Sequence, residues 1–325
     1  MVRMAWLIGL AMLAAWIGNA QAETYPSRTI TLVVPFPAGG VTDALGRLLA
    51  NKMEAVLGQP LIIENVGGAA GSIGVGRVAR AAPDGYTFVL GNVETNVLNG
   101  AELPLQYDVV KDFAPIALLP SYPFMIVSKN AVPAKTLTEL IAWLKANADK
   151  ATQGTVNAGT MQQLCGLSIQ QRIGARWQFV PYRGGAPAMQ DMLSGQIDFM
   201  CTASGSFLPL VRSGQIRAYA VTAKSRMAAA PDIPTVDEAG LPGLYASVWN
   251  AFWAPKGTPS DVITKLNAAA EQALGDATVR SRVMEMGLDM PPAADSTPEA
   301  LGAYQQAEIE KWWPVIKAAN LTIGQ

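Results

Sequence analysis

The sequence predicts an α/β fold of two lobes, with the chain crossing twice between them. Three observations predict it. Short apolar, β-branched runs alternate with stretches of helical period, the pattern of parallel strands covered by helices. Several of the turns joining strand to helix are rich in glycine. Two apolar, extended stretches, at 116–125 and 246–254, hold few turn signals and read as the crossings. On that reading 23–122 and 247–325 form one lobe, and 123–246 form the other. Such a shape permits hinge closure around a ligand.

The elements follow in order. Residues 30–36 are a continuous apolar run, as in a strand buried on both faces. After Pro37-Ala38-Gly39-Gly40, a stripe of Leu45, Leu48, Leu49, Met53 and Val56 marks a helix over 42–57. A short strand at 61–64 precedes a glycine-rich stretch at 67–76, which leads into a helix ending near 81. Pro83-Asp84-Gly85 is a turn before a strand at 86–90. In the middle of the chain, strands are expected at 124–128, 155–157, 178–182, 197–200 and 216–222. Helices are expected there at 138–148, 160–173 and 187–193. The last third is extended and aromatic at 246–253, then helical at 260–274, 278–286 and 298–319. Trp249, Trp253, Trp312 and Trp313 read as core packing, because aromatic rings are mostly buried for their area.

Composition narrows the function. Of 325 residues, 50% are hydrophobic and 15% charged, which suits a packed core and not long disorder. The net charge is -1 with no basic cluster, so no nucleic-acid partner is expected. Histidine is absent. That removes Ser-His-Asp and Cys-His nucleophiles and histidine-based zinc sites. No Walker loop, Gly-x-Gly-x-x-Gly fingerprint or Gly-x-Ser-x-Gly elbow occurs, so neither cofactor nor metal is expected.

The first 22 residues read as a signal peptide: Arg3, an apolar run over 4–17, then Ala20-Gln21-Ala22 as a small-x-small cleavage site. The run is short of the about 20 apolar residues that span a bilayer. Export to the periplasm with cleavage before Glu23 is therefore expected. In that oxidising compartment Cys165 and Cys201 are expected to pair, the alternative being two buried free thiols. A bond spanning 36 residues is worth about 3–4 kcal/mol by chain entropy.

Four strand-to-helix turns carry the candidate site. The first is Pro35 to Asp43, with Ala38, Gly39 and Gly40 before Thr42 and Asp43. Its glycines let backbone N–H groups approach a ligand, and the helix start adds unpaired donors and partial positive charge. Thr42 or Asp43 is alternatively only an N-cap. Asn65 to Ser72, including Gly71, repeats the design, as do Asn157-Ala158-Gly159-Thr160 and Tyr182-Arg183-Gly184-Gly185. If all lie at carboxyl ends of parallel strands they line one crevice, and its backbone donors favour a carboxylate. Tyr182 offers an aromatic wall with a polar tip. Arg183 either pairs with the anion or faces solvent. Asp198 either orders the site or makes a structural contact. Spacing alone does not pair Asp43, Glu64 or Asp198 for acid–base work.

These segments resemble the Bug-type, TctC-like solute-binding receptors of tripartite tricarboxylate transport systems. The resemblance rests on Tyr25-Pro26-Ser27-Arg28, the 35–43 loop, Asn65 to Gly71, Pro83 to Thr87, Val180 to Ala188 and Gly195-Gln196-Ile197-Asp198. It covers essentially the whole chain after residue 22. It implies a two-lobe periplasmic-binding-protein fold, type II-like, with a ligand carboxylate held by backbone groups and ordered waters. Carried over by residue, the ligand contacts are Ala38, Gly39, Gly40, Thr42, Asp43, Tyr182, Gly184 and Gly185. Asn92, Gly159 and Thr160 match further cleft positions. Two departures fall in the half of the cleft that selects the ligand. Asn92-Val93-Glu94-Thr95-Asn96 stands where Ser or Thr is frequent, and Gln163 replaces the usual histidine. The expected partners are a small organic acid (a di- or tricarboxylate, an aromatic acid or an acidic amino acid) and membrane transporter subunits, with a monomeric receptor. An exported sensor signalling to a membrane partner, and an exported carboxylate-using enzyme, are the alternatives.

Overall fold

The computed structural model describes residues 24–156, 159–182 and 185–321. The expected signal peptide, Arg183 and Gly184 lie outside these residues. Among the described residues nine strands form one mixed sheet, in the order β2-β1-β3-β9-β4-β7-β5-β6, with β8 against β4. β1 (Ile30–Val34) lies between β2 (Leu61–Asn65) and β3 (Thr87–Asn92), all parallel. β9 (Ser247–Pro255) runs antiparallel to β3 and to β4 (Phe113–Lys129). On the other side β5 (Thr152–Val156) is parallel to β6 (Gln178–Tyr182) and β7 (Phe199–Ala203). β4 joins this second group through antiparallel pairing with β7 and β8 (Ile216–Val221). Purely parallel sheets were the expectation. The two long strands that return against the others make the sheet mixed instead.

β4 serves both halves because it bends. Its 17 residues include Pro115, Pro120 and Pro123, which cannot donate to a ladder. Its register against β9 slips between Pro115 and Ala117 and again between Leu118 and Ser121. Such irregularities kink a strand and increase its twist. The first half of β4 therefore pairs with β9, and the second half turns to β7 and β8.

Cores lie on both faces of the first half. Leu45, Leu49 and Met53 of the helix Val41–Leu57 pack with Leu266 and Ala270 of the helix Ser260–Gly275 over Ile30, Leu32 and Val34. The opposite face buries Val33, Val89, Trp249, Trp253 and Trp312. Their indole N–H groups are satisfied: Trp249 and Trp312 donate to Glu308 at 3.2 and 3.0 Å, and Trp253 donates to Gln305 at 3.3 Å. Trp313, partly buried, donates to the Val97 carbonyl at 3.0 Å. The tryptophans are core, as the sequence predicted. In the second half, a disulfide ties Cys165, on the helix Met161–Ile173, to Cys201 of β7.

Two elements differ from expectation. The segment after β3 coils into a π turn, Glu94–Leu98, and a short helix, Asn99–Glu102. A helix also follows β7, at Ser204–Arg212. The first is held by bonds to Asn92, and the second buries Phe207 and Leu208 but carries Pro209 inside it, a residue that ordinarily breaks a helix.

Candidate functional site

Strand register brings the turns to one place. β3 ends at Asn92, opposite Asn250 of β9. β9 sets Trp249 against Ser121 and Val248 against Tyr122 of β4. From the other side, β7 ends at Ala203, opposite Phe124 of β4. The carboxyl ends of β1–β3 and of β5–β7 thus face each other across residues 121–124 of β4. Loops at carboxyl ends carry the ligands of open α/β sheets.

The turn after β1 is built around Asp43, which is buried. Its Oδ2 accepts the Gly39 N–H at 2.8 Å and Arg47 Nε at 3.0 Å. Its Oδ1 accepts Asn65 Nδ2 at 2.9 Å, and Asn65 also donates to the Phe36 carbonyl at 3.1 Å. Burial alone would raise this carboxyl, but bonds from Arg47, Gly39 and Asn65 outweigh it and hold it below the usual range. The Asp43 carboxylate thereby fixes the loop, while its backbone N–H stays with the helix start. Gly39 takes φ 84°, a conformation L side chains rarely adopt. Gly40 is the N-cap of Val41–Leu57, and no side chain caps that helix. Ala38, Gly39 and Gly40 are exposed, while Thr42 behind them is buried.

The turns after β2 and β3 lock onto the one after β1. A Cβ on Gly71 would meet Thr95 Cγ2 at 2.7 Å and the Pro35 carbonyl at 3.2 Å. Glycine is what lets three loops touch here. Asn92 is buried, and its Oδ1 accepts the N–H groups of Glu94 and Thr95 at 3.0 and 3.1 Å. These two bonds hold the first turn of the segment that follows β3.

In the other half, neutral amides hold the turn after β5. Gln163 Oε1 accepts the Gly159 N–H at 2.8 Å. Gln162 Oε1 accepts the Val156 N–H at 2.7 Å while its Nε2 donates to Thr202 Oγ1 at 3.0 Å. Thr160 is the N-cap of Met161–Ile173, yet it makes no side-chain cap bond, and its buried Oγ1 has no partner. The Tyr182 hydroxyl donates to Asp191 at 2.7 Å; burial first, and that carboxylate second, push it up to about 12. Its polar tip is thus spent inside its own half. Gly185 opens the helix Gly185–Ser194.

Asp198 stands apart from the other candidates. It accepts the Thr152 N–H and hydroxyl at 2.8 and 3.0 Å and pairs with Lys129 at 2.8 Å. Thr152 begins β5, so Asp198 sits at the amino ends of the strands, away from the junction. Its contact is structural, the plainer of the two readings it allowed.

The helices Val41–Leu57, Met161–Ile173 and Ser204–Arg212 all follow strands at the junction, and none has a side-chain cap. Away from the junction Thr136, Asp276 and Thr297 cap the helices Leu137–Ala146, Ala277–Glu285 and Pro298–Ala318, although Ser260–Gly275, after the far end of β9, has no side-chain cap either. A cap is worth about 1 kcal/mol, so bare N-termini collected at one place forgo stability there. They leave N–H donors and positive dipole ends where an anion would sit.

Comparison with known proteins decides the family. A family model described as "Tripartite tricarboxylate transporter family receptor" matches residues 45–321. The chain belongs to this receptor family. Protein BugT of Bordetella pertussis is 33% identical over 320 residues, covering 98% of this chain and 97% of BugT. A protein from the TAR-I ttuE-ttuC' intergenic region of Agrobacterium vitis is 39% identical over 311 residues, covering 95% and 89%. Among solved structures, MatC from Rhodopseudomonas palustris with bound malate has a TM-score of 0.75 at 37% identity, covering 90% of this chain and all (100%) of its own. The periplasmic binding protein BugD has a TM-score of 0.74 at 36% identity, covering 92% and 99%. The receptor therefore has the α/β periplasmic-binding-protein fold and is a solute-binding protein, not an enzyme.

Sequence reasoning missed Gln162, which anchors the turn after β5. Gln162 carried no signal, since a glutamine at a helix start looks like any polar residue.

Proposed function

We propose that the receptor is exported to the periplasm and captures a small carboxylate at the junction, for delivery to the membrane subunits of a tripartite transporter. The carboxylate sits against the bare helix start at 39–43, with Gly159 and Thr160 opposite. Residues 23–122 with 247–325 act as one lobe and 123–246 as the other, hinged where β4 and β9 pass between them. One observation carries this reading: the uncapped helix N-termini gathered at the facing carboxyl ends of two strand sets. Backbone donors there attract an anion without a fixed cation. Malate in MatC and adipate in a second Rhodopseudomonas palustris relative, 30% identical, place small carboxylates in proteins of this kind.

The test is a thermal-shift screen of purified receptor against dicarboxylates, tricarboxylates, aromatic acids and amino acids. A ligand at a hundred times its Kd stabilises by about 2.7 kcal/mol, a shift of several degrees. No shift with any carboxylate contradicts the proposal.

A further inference from the structure

The helix Ser204–Arg212, in the 123–246 half, starts against the end of the helix Ala277–Glu285, in the other half. A Cβ on Gly287 would meet Gly205 Cα at 3.0 Å, and one on Gly205 would meet the Met286 carbonyl at 3.3 Å. Gly287 also takes φ 72°. Glycine on both sides lets backbone meet backbone across the halves. Beside this contact lies a cavity of about 130 Å³, walled by Leu208 and Met227 from one half and by Met284 and Leu288 from the other.

Complementary groups face this cavity from opposite halves. On one side no side chain caps the helix Ser204–Arg212. Ser204, its first residue, is 1% exposed, lines the cavity, and has an Oγ without a partner. On the other side Asp289 lines the same cavity, and its carboxylate belongs to no ion pair among the described residues. Burial raises that carboxyl with no donor to offset it. The Asp289 backbone is fixed to β4: it accepts the Ser121 N–H at 3.0 Å and donates to the Ser121 carbonyl at 2.7 Å. Ser121 lies where the register of β4 slips, at the passage between the halves. How close Asp289 comes to Ser204 is therefore set by how the halves stand.

We propose that Asp289 latches the two halves: as they close, its carboxylate accepts from the Ser204 hydroxyl and becomes the cap that the helix Ser204–Arg212 lacks. This rests on the two hinged lobes proposed above. The closing movement shuts the cavity, and each group gains the partner it is without. Asp289 is a positioning residue that touches no ligand. A contact made only in the closed form shifts the balance toward that form, so it slows release without speeding capture.

Stopped-flow kinetics with malate and adipate as probes test this. Asp289→Ala should speed release about tenfold and change association by about twofold or less. Ser204→Ala should do the same, and the double variant should do no more than either single one, because both remove one contact. Asp289→Glu, which keeps the carboxylate, should recover part of the loss. Melting of the unliganded receptor should not fall in Asp289→Ala, since an unpartnered buried carboxyl contributes nothing there. Unchanged release, effects that add, or a lowered melting point overturns the latch and leaves the receptor function standing. Failure of both acids to bind counts against the carboxylate site, and crosslinking then decides the latch. Ser204→Cys combined with Asp289→Cys should form a disulfide in the unliganded receptor on mild oxidation, read by mass. No bond means that the two side chains never meet, which overturns the latch as well.

Discussion

The turns after β1 and after β5 solve one problem with different chemistry. Each starts an uncapped helix at the junction, and each must hold its loop without spending the N–H donors that face inward. After β1 the holder is a charge: Asp43 gathers Gly39, Arg47 and Asn65. After β5 the holders are neutral: Gln163 takes Gly159, Gln162 joins Val156 to Thr202, and a disulfide fastens the helix behind them. The difference shows what each side leaves over. An anion already satisfied lets the first start attract a second one. The second start is anchored by amides and leaves the buried Thr160 hydroxyl without a partner. Side chains here position backbone, and in the proposed function it is backbone that binds.

The comparison breaks most visibly at the disulfide. Cys165→Ala with Cys201→Ala should destabilise the receptor by about 3–4 kcal/mol in urea unfolding. Affinity should change little if Gln162 and Gln163 alone hold the turn. A large loss of affinity in the folded variant would make the disulfide part of the anchor.

Asp43→Ala comes next. It strands the Gly39 and Asn65 donors and should cost about 2 kcal/mol of stability, while carboxylate affinity falls by about a hundredfold or more. Arg47 is half exposed and adds little, because water screens its pair. The pH dependence has a definite sign. The folded Asp43 carboxyl lies below its unfolded value of about 3.9. Its contribution is therefore complete above that value and is lost as pH falls through the folded one. Urea titrations at descending pH should show this loss in the parent and not in Asp43→Ala.

Gln162→Ala should cost about 1–2 kcal/mol, since Val156 N–H and Thr202 Oγ1 each lose a buried partner. Differential calorimetry reads it, and an effect equal to that of Asp43→Ala on affinity would erase the distinction between charged and neutral anchors. The smallest effect belongs to Tyr182→Phe. Its hydroxyl serves Asp191, so affinity should move by about threefold or less in titration calorimetry. A tenfold loss would put that hydroxyl on the ligand.

Much of this was legible beforehand, for physical reasons. Strands such as 30–34 and helices such as 41–57 announce themselves by apolar period, and the glycine turns by the backbone freedom they need. The turn positions of the site followed from strand-to-helix order. What each side chain does there did not follow. That three donors occupy the Asp43 carboxylate was not visible, and Asp198 looks close to the site until β5 and β7 place it at their far ends. Gln162 needed the third dimension most, because its partner Thr202 is 40 residues away on another strand. Antiparallel returns of β4 and β9 were hidden too, since a both-faces-buried strand reads the same in either direction.

Amide hydrogen exchange tests the central claim most directly. The receptor is compared with and without the carboxylate that gives the largest shift in the thermal screen. Amides at 39–43 and 159–163 should slow together, while those at 152–153 and 198–199, at the amino ends of β5 and β7, keep their rates. Protection elsewhere, with both of those turns unchanged under saturating ligand, would contradict the account.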